Sequence, residues 1–82
     1  MRVTVTQKHI DDGTKANCKL CPIAQAITNK GYKARVYHEL VDLIGKDGVN
    51  ATYKLPKKAT RFIIDFDEGN KVKPFTFEMR KR

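Results

Sequence analysis

Hydrophobic and polar positions alternate at the start of the chain: Val3 and Val5 are separated by Arg2, Thr4 and Thr6. That period of two predicts a short strand with one buried face. Thr6 can cap a short helix or turn over Gln7–Asp12, which Gly13 closes. Residues 14–20 are a polar loop. A helix from about Cys21 to Lys30 follows, opened by Pro22 and stopped by Gly31, with Ile23, Ala26 and Ile27 on one face. Residues 32–44 are rich in Tyr, Val, Leu and Ile and predict a second strand. Its alternation is broken: Val36, His38 and Leu40 share one parity, and Tyr37, Val41 and Leu43 the other. A β-bulge or burial of both faces would account for the break. Gly45-Lys46-Asp47-Gly48 is a hairpin turn, after which Val49, Ala51, Tyr53 and Leu55 give a third strand. Pro56 opens a second main helix, about Lys57 to Glu68, with the stripe Ala59, Phe62, Ile63 and Phe66. Gly69 ends it. Phe75, Phe77 and Met79 alternate in a final strand.

The order β-α-β-β-α-β predicts an α+β fold over residues 1–82 as a single small domain. The matching motif is the ferredoxin-like split βαβ, or a related antiparallel sheet, with two helices on one face. Phe62, Ile63 and Phe66 are expected to pack on Val3, Val5, Phe75 and Phe77. A chain of 82 residues buries only about 60–65% of its unfolded surface, so this core is modest.

Charge changes the picture most. Seventeen Lys and Arg oppose nine Asp and Glu, a formal +8. Such an excess suits polyanionic partners, or serves solubility alone. The basic residues gather in groups: Lys30, Lys33 and Arg35; Lys57, Lys58 and Arg61; Lys71 and Lys73; and Arg80, Lys81 and Arg82. The candidate binding surface is Lys57, Lys58, Arg61, Arg80, Lys81 and Arg82. In a ferredoxin-like arrangement Arg2, Thr4, Asn50, Thr52, Lys54, Thr76 and Arg80 would share the open sheet face. RNA-recognition modules stack bases on aromatics of such a face. Only Tyr37 and Tyr53 are candidates here, and Tyr53 reads as a core residue. Electrostatic, weakly specific binding is the better expectation.

Cys18-x-x-Cys21 is the main site for other chemistry. With His9 upstream and His38 further on to supply the remaining ligands, it could hold zinc. Cys21 at a helix N-terminus could also be an activated thiol. The plainer reading is a packing cysteine at Cys21 and a loop cysteine at Cys18. Asp65, Asp67 and Glu68 crowd the end of the second main helix, where acids oppose the dipole. No glycine-rich phosphate loop and no Ser-His-Asp pattern occurs. No enzymatic activity, cofactor or membrane partner is expected. The first residues lack a signal-peptide run and no apolar stretch reaches about 18 residues, so a cytoplasmic chain with free thiols is expected.

Three signatures occur together: His9-Ile10-x-x-Gly13, Cys21-Pro22-Ile23-Ala24-x-Ala26-Ile27, and Phe62-Ile63-x-Asp65-Phe66-Asp67-x-Gly69-x-x-Val72-x-Pro74-Phe75. They resemble a family of small, mostly uncharacterised bacteriophage-encoded proteins. The resemblance covers both ends of the chain and skips residues 32–55. It implies a viral protein in the cytoplasm of an infected cell that binds and modulates a host protein or nucleoprotein complex, in host takeover or counter-defence. Direct electrostatic nucleic-acid binding is the alternative, and a zinc-stabilised or thiol-redox protein using Cys18 and Cys21 a third.

Overall fold

Capping chemistry sets the helix ends in the computed structural model, which describes residues 1–82. Strand β1 (Arg2–Val5) leads into helix α1 (Gln7–Asp12). The Thr6 hydroxyl accepts the His9 amide at 3.3 Å, and His9 Nδ1 accepts the Thr6 amide at 3.0 Å. This is a reciprocal capping box with histidine in the place usually held by Glu or Gln. Helix α2 (Pro22–Thr28) is shorter than the sequence suggests and starts with Cys21 as its N-cap. Gly13 is needed for space rather than for a left-handed turn. Its φ is −71°, and an added Cβ would lie 2.7 Å from the Pro22 ring. The bare backbone thus lets α1 sit directly against α2.

The single strand expected over residues 32–44 is a hairpin instead, β2 (Lys33–Val36) and β3 (Leu40–Gly45). Val36 pairs with Val41, so both face inward, and the parity flips across the turn at Tyr37–Glu39. This explains the broken alternation. The turn is fixed from outside the hairpin: the Glu39 carbonyl accepts the Leu55 amide, and the His38 carbonyl accepts the Thr60 hydroxyl. Strand β4 (Gly48–Lys54) completes a meander. It carries a bulge the sequence pattern concealed. Leu43 faces Ala51 but Ile44 faces Val49, leaving Asn50 as the extra residue. Val49 is thereby turned outward and is 55% exposed.

Helix α3 (Lys57–Asp67) buries Ala59, Phe62, Ile63 and Phe66, the stripe read from its period. The last run of chain forms β5 (Phe75–Glu78) and β6 (Arg80–Lys81). β5 pairs antiparallel with β1; β6 pairs antiparallel with β4. Met79 between them exchanges backbone bonds with Met1 at 2.8 and 2.9 Å.

The fold is therefore α+β, as expected, but the ferredoxin-like single sheet is not formed. The strands divide into a β1-β5 ribbon and a β2-β3-β4-β6 sheet. The split motif would seat the first strand between the third and the last in one sheet. Here β1 pairs with β5 alone, and β6 of the last run, not the first strand, takes the free edge of β4. Inward side chains from both sheets join those of α2 and α3 in one buried cluster. In it Phe62 stacks on Phe75 at 4.7 Å, and Phe75 on Phe77 at 5.3 Å.

Candidate functional site

A broad concave surface lies where β4 runs into α3. Pro56 is the α3 N-cap and has no side chain to cap with. Its carbonyl takes the amides of Ala59 and Thr60. The amides of Lys57 and Lys58 have no intramolecular acceptor, and no acid stands in the first turn. The positive end of the helix is left open. A hollow of about 660 Å³ here is lined by Glu39, Lys54, Leu55, Lys57, Lys58, Thr60, Arg61 and Ile64. A second, of about 440 Å³, adjoins it across Lys54, Leu55 and Lys57, and adds Pro56, Glu78 and Arg80.

Of the expected binding residues, the fold brings Lys57, Lys58 and Arg61 to the first hollow and Arg80 to the second. Lys54 links them, a position expected on the sheet face but not in this group. Arg82 follows β6, and its amide bonds the Thr52 carbonyl at 2.8 Å. Lys81 pairs with the half-buried Tyr53, so strand alternation sends it to the opposite side from Arg80 and Arg82. Neighbours in sequence, the three terminal cations do not form one group. Lys54, Lys57, Lys58, Arg80 and Arg82 join none of the four ion pairs of the molecule. Arg61 meets Asp65 at 3.7 Å with its side chain 79% exposed, a pairing that removes little of its charge from solvent.

The cysteine end is arranged differently. Cys18, Cys21, His38 and Asp67 line a hollow of about 420 Å³. No three His, Cys, Asp or Glu side chains converge as ligands would around a metal ion. His9, the expected third ligand, lies at the other end of α2. Its Nδ1 accepts the Thr6 amide, so the proton sits on Nε2, which meets the Asn29 side-chain amide at 2.7 Å. With Nε2 as donor, the Asn29 oxygen must be the atom facing it. Both ring nitrogens are thus used, Nδ1 in capping α1 and Nε2 in holding α1 to the end of α2.

Cys21 caps α2 through a 3.4 Å bond from the Ala24 amide to its Sγ. Burial nevertheless raises its thiol pKa, outweighing the backbone amides of Ala24 and Ile23, with Asp67 and Cys18 pushing the same way. The helix N-terminus does not produce the low-pKa thiol considered from sequence. The acids at the end of α3 also have local work. Asp67 accepts the Ala16 amide at 2.9 Å and holds the 14–20 loop, in which Ala16 adopts a left-handed φ of 54°. Asp65 pairs with Arg61 and accepts the Asn70 amide.

No protein-family model, curated protein or solved structure matches the chain. No helix is long and apolar enough to cross a membrane.

Proposed function

We propose that this chain is a non-enzymatic binding domain whose basic hollow at the start of α3 holds the backbone of a nucleic acid, free or within a nucleoprotein complex. One observation carries the reading: Lys54, Lys57, Lys58 and Arg80 surround an uncapped helix N-terminus and form no ion pair with Glu39 or Glu78, the carboxylates that line the same hollows. Cations that are solvated rather than paired can exchange counterions for phosphates, which is the main source of non-specific affinity. In the phage setting that the resemblance implies, the partner would be a nucleoprotein complex of the infected cell, engaged to modulate it. The non-catalytic part is supported by the buried Cys21, whose thiol burial makes harder to ionise, and by His9, whose ring nitrogens are both bonded.

The test is a titration of a labelled nucleic acid at low salt, read by fluorescence anisotropy, with wild type and Lys57→Glu/Lys58→Glu. Acids in a first helical turn favour the helix, so the double variant keeps its fold. An affinity loss of about tenfold or more is expected. Equal binding by the variant would assign the +8 to solubility and favour a protein partner instead.

A further inference from the structure

The α3 hollow is one edge of a larger charged surface. Along β2 the inward residues are Ala34 and Val36, so Lys33 and Arg35 point to the outer side of the sheet. The register carries that side across the strands. Arg35 stands opposite Asp42, Asp42 opposite Thr52, and Arg82 bonds the Thr52 backbone. In the neighbouring row Leu40 stands opposite Lys54, and Lys54 opposite Arg80.

The outer face thus has cations along both margins. Lys33 and Arg35 lie on β2; Lys54, Arg80 and Arg82 lie on β4 and at β6. Its middle is neutral or acidic. Asp42 accepts the Thr52 hydroxyl at 2.9 Å and forms no ion pair with Arg35. Ile44 and the exposed Val49 fill the rest of the middle. Glu78 borders the face from β5, but the N-terminal ammonium and Arg2 both pair with it.

We infer that this outer face is a second part of the same interface, and that it seats a duplex rather than a single strand. The inference rests on the nucleic-acid reading above. Strands lie about 4.8 Å apart, so β2 and β6 are separated by about 14 Å. That is close to the roughly 12 Å major-groove width that parts the two phosphate rows of a duplex. A carboxylate on the midline would repel one anionic strand laid along the centre, but lies between two separated rows. None of the outward strand positions holds an aromatic side chain; the exposed Tyr32 and Tyr37 flank β2 at its two ends and form no row of rings across the sheet. The sheet surface itself therefore lacks the stacking platform on which single-strand binding relies.

The experiment compares a duplex and a single strand of equal length, titrated with wild type, Lys33→Glu/Arg35→Glu, Lys33→Gln/Arg35→Gln and Lys57→Glu/Lys58→Glu. Thermal melting of each variant checks the fold. Wild type should bind the duplex more tightly. The Lys33/Arg35 reversal should cost about tenfold or more on the duplex, and the neutral pair a smaller part of it. If the Lys57/Lys58 reversal weakens binding but both Lys33/Arg35 variants bind as wild type, the sheet face is not part of the interface and the α3 reading stands. Single-strand affinity equal to or above that of the duplex would also overturn the inference alone. Absence of binding to either form would overturn both.

Discussion

The β1-β5 ribbon and the four-stranded sheet share one core, yet they manage the charge of their outer faces in opposite ways. On the ribbon, Arg2 stands across from Glu78 and pairs with it at 3.4 Å, while the N-terminal ammonium meets the same carboxylate. Thr4 and Thr76, opposite each other, bond through their hydroxyls at 3.1 Å. That face satisfies itself. On the sheet, Lys33, Arg35, Lys54, Arg80 and Arg82 join no ion pair. The sheet therefore leaves its outer charges unmatched where the ribbon balances its own. Strand alternation is the same in both regions. The difference lies in cross-strand partners: the ribbon sets unlike charge or like hydroxyls opposite each other, whereas Lys54 and Arg80 are set directly across from one another. Like charges directly opposite are destabilising, and such an arrangement becomes favourable once an anion is shared between them.

The strongest way to break the comparison is to remove the core beneath both faces. Phe77 is 1% exposed on β5, and Phe62 stacks on its neighbour Phe75. Phe77→Ala or Phe62→Ala should cost about 3–5 kcal/mol, measured by urea or thermal unfolding. That is comparable to the whole stability of a small domain. An unchanged melting temperature would mean that α3 does not pack on the ribbon.

A smaller effect concerns the buried thiol that starts α2. Burial raises the folded-state pKa of Cys21 above its unfolded value. Below the ordinary thiol range, about 8.5, both states are protonated and the contribution is fully present. As pH rises past it the unfolded chain ionises first and binds fewer protons, so stability falls. Urea midpoints of the reduced protein should decline through this window. Cys21→Ser should lose that part of the decline, and an identical slope in the variant would contradict the assignment.

The smallest effect sharpens the comparison directly. Arg2→Ala or Glu78→Gln should change stability by less than about 1 kcal/mol, since exposed pairs contribute little. Arg2→Ala should also leave nucleic-acid affinity within about twofold, because its charge is already matched. A loss as large as that of the Lys57/Lys58 reversal would place the ribbon in the interface and remove the contrast.

Much of the fold was legible where local chemistry decides it. Thr6 as a cap, Pro22 and Pro56 near helix starts, and the Ala59–Phe66 stripe all act within one or two helical turns. The β2-β3 turn was not. Tyr37-His38-Glu39 contains no Gly, Pro, Asn or Asp. Its backbone groups are held by Leu55 and Thr60, which are remote in sequence. The bulge at Asn50 was hidden because Val49, Ala51, Tyr53 and Leu55 alternate without a break. Only the pairing with β3 shows Val49 on the wrong side. The site shows the same division. Basic clusters could be read along the chain, but which cations share a face depends on register. Register turns Lys81 away, brings Lys54 between Lys57 and Arg80, and sets Lys33 and Arg35 on the same face as Arg82. His9 looked like a ligand by residue type; its role as a capping-box partner follows from its place three residues after Thr6.

The central claim is that unpaired cations on one side of the molecule bind phosphates. It is tested most directly by the salt dependence of wild-type affinity for a duplex. Log affinity should fall linearly with log salt, with a slope near −0.9 for each phosphate contacted. Several contacts are available from Lys54, Lys57, Lys58, Arg80 and the sheet margins, so the slope should be steeper than about −3. Affinity independent of salt, or no measurable binding at low salt, would contradict the account.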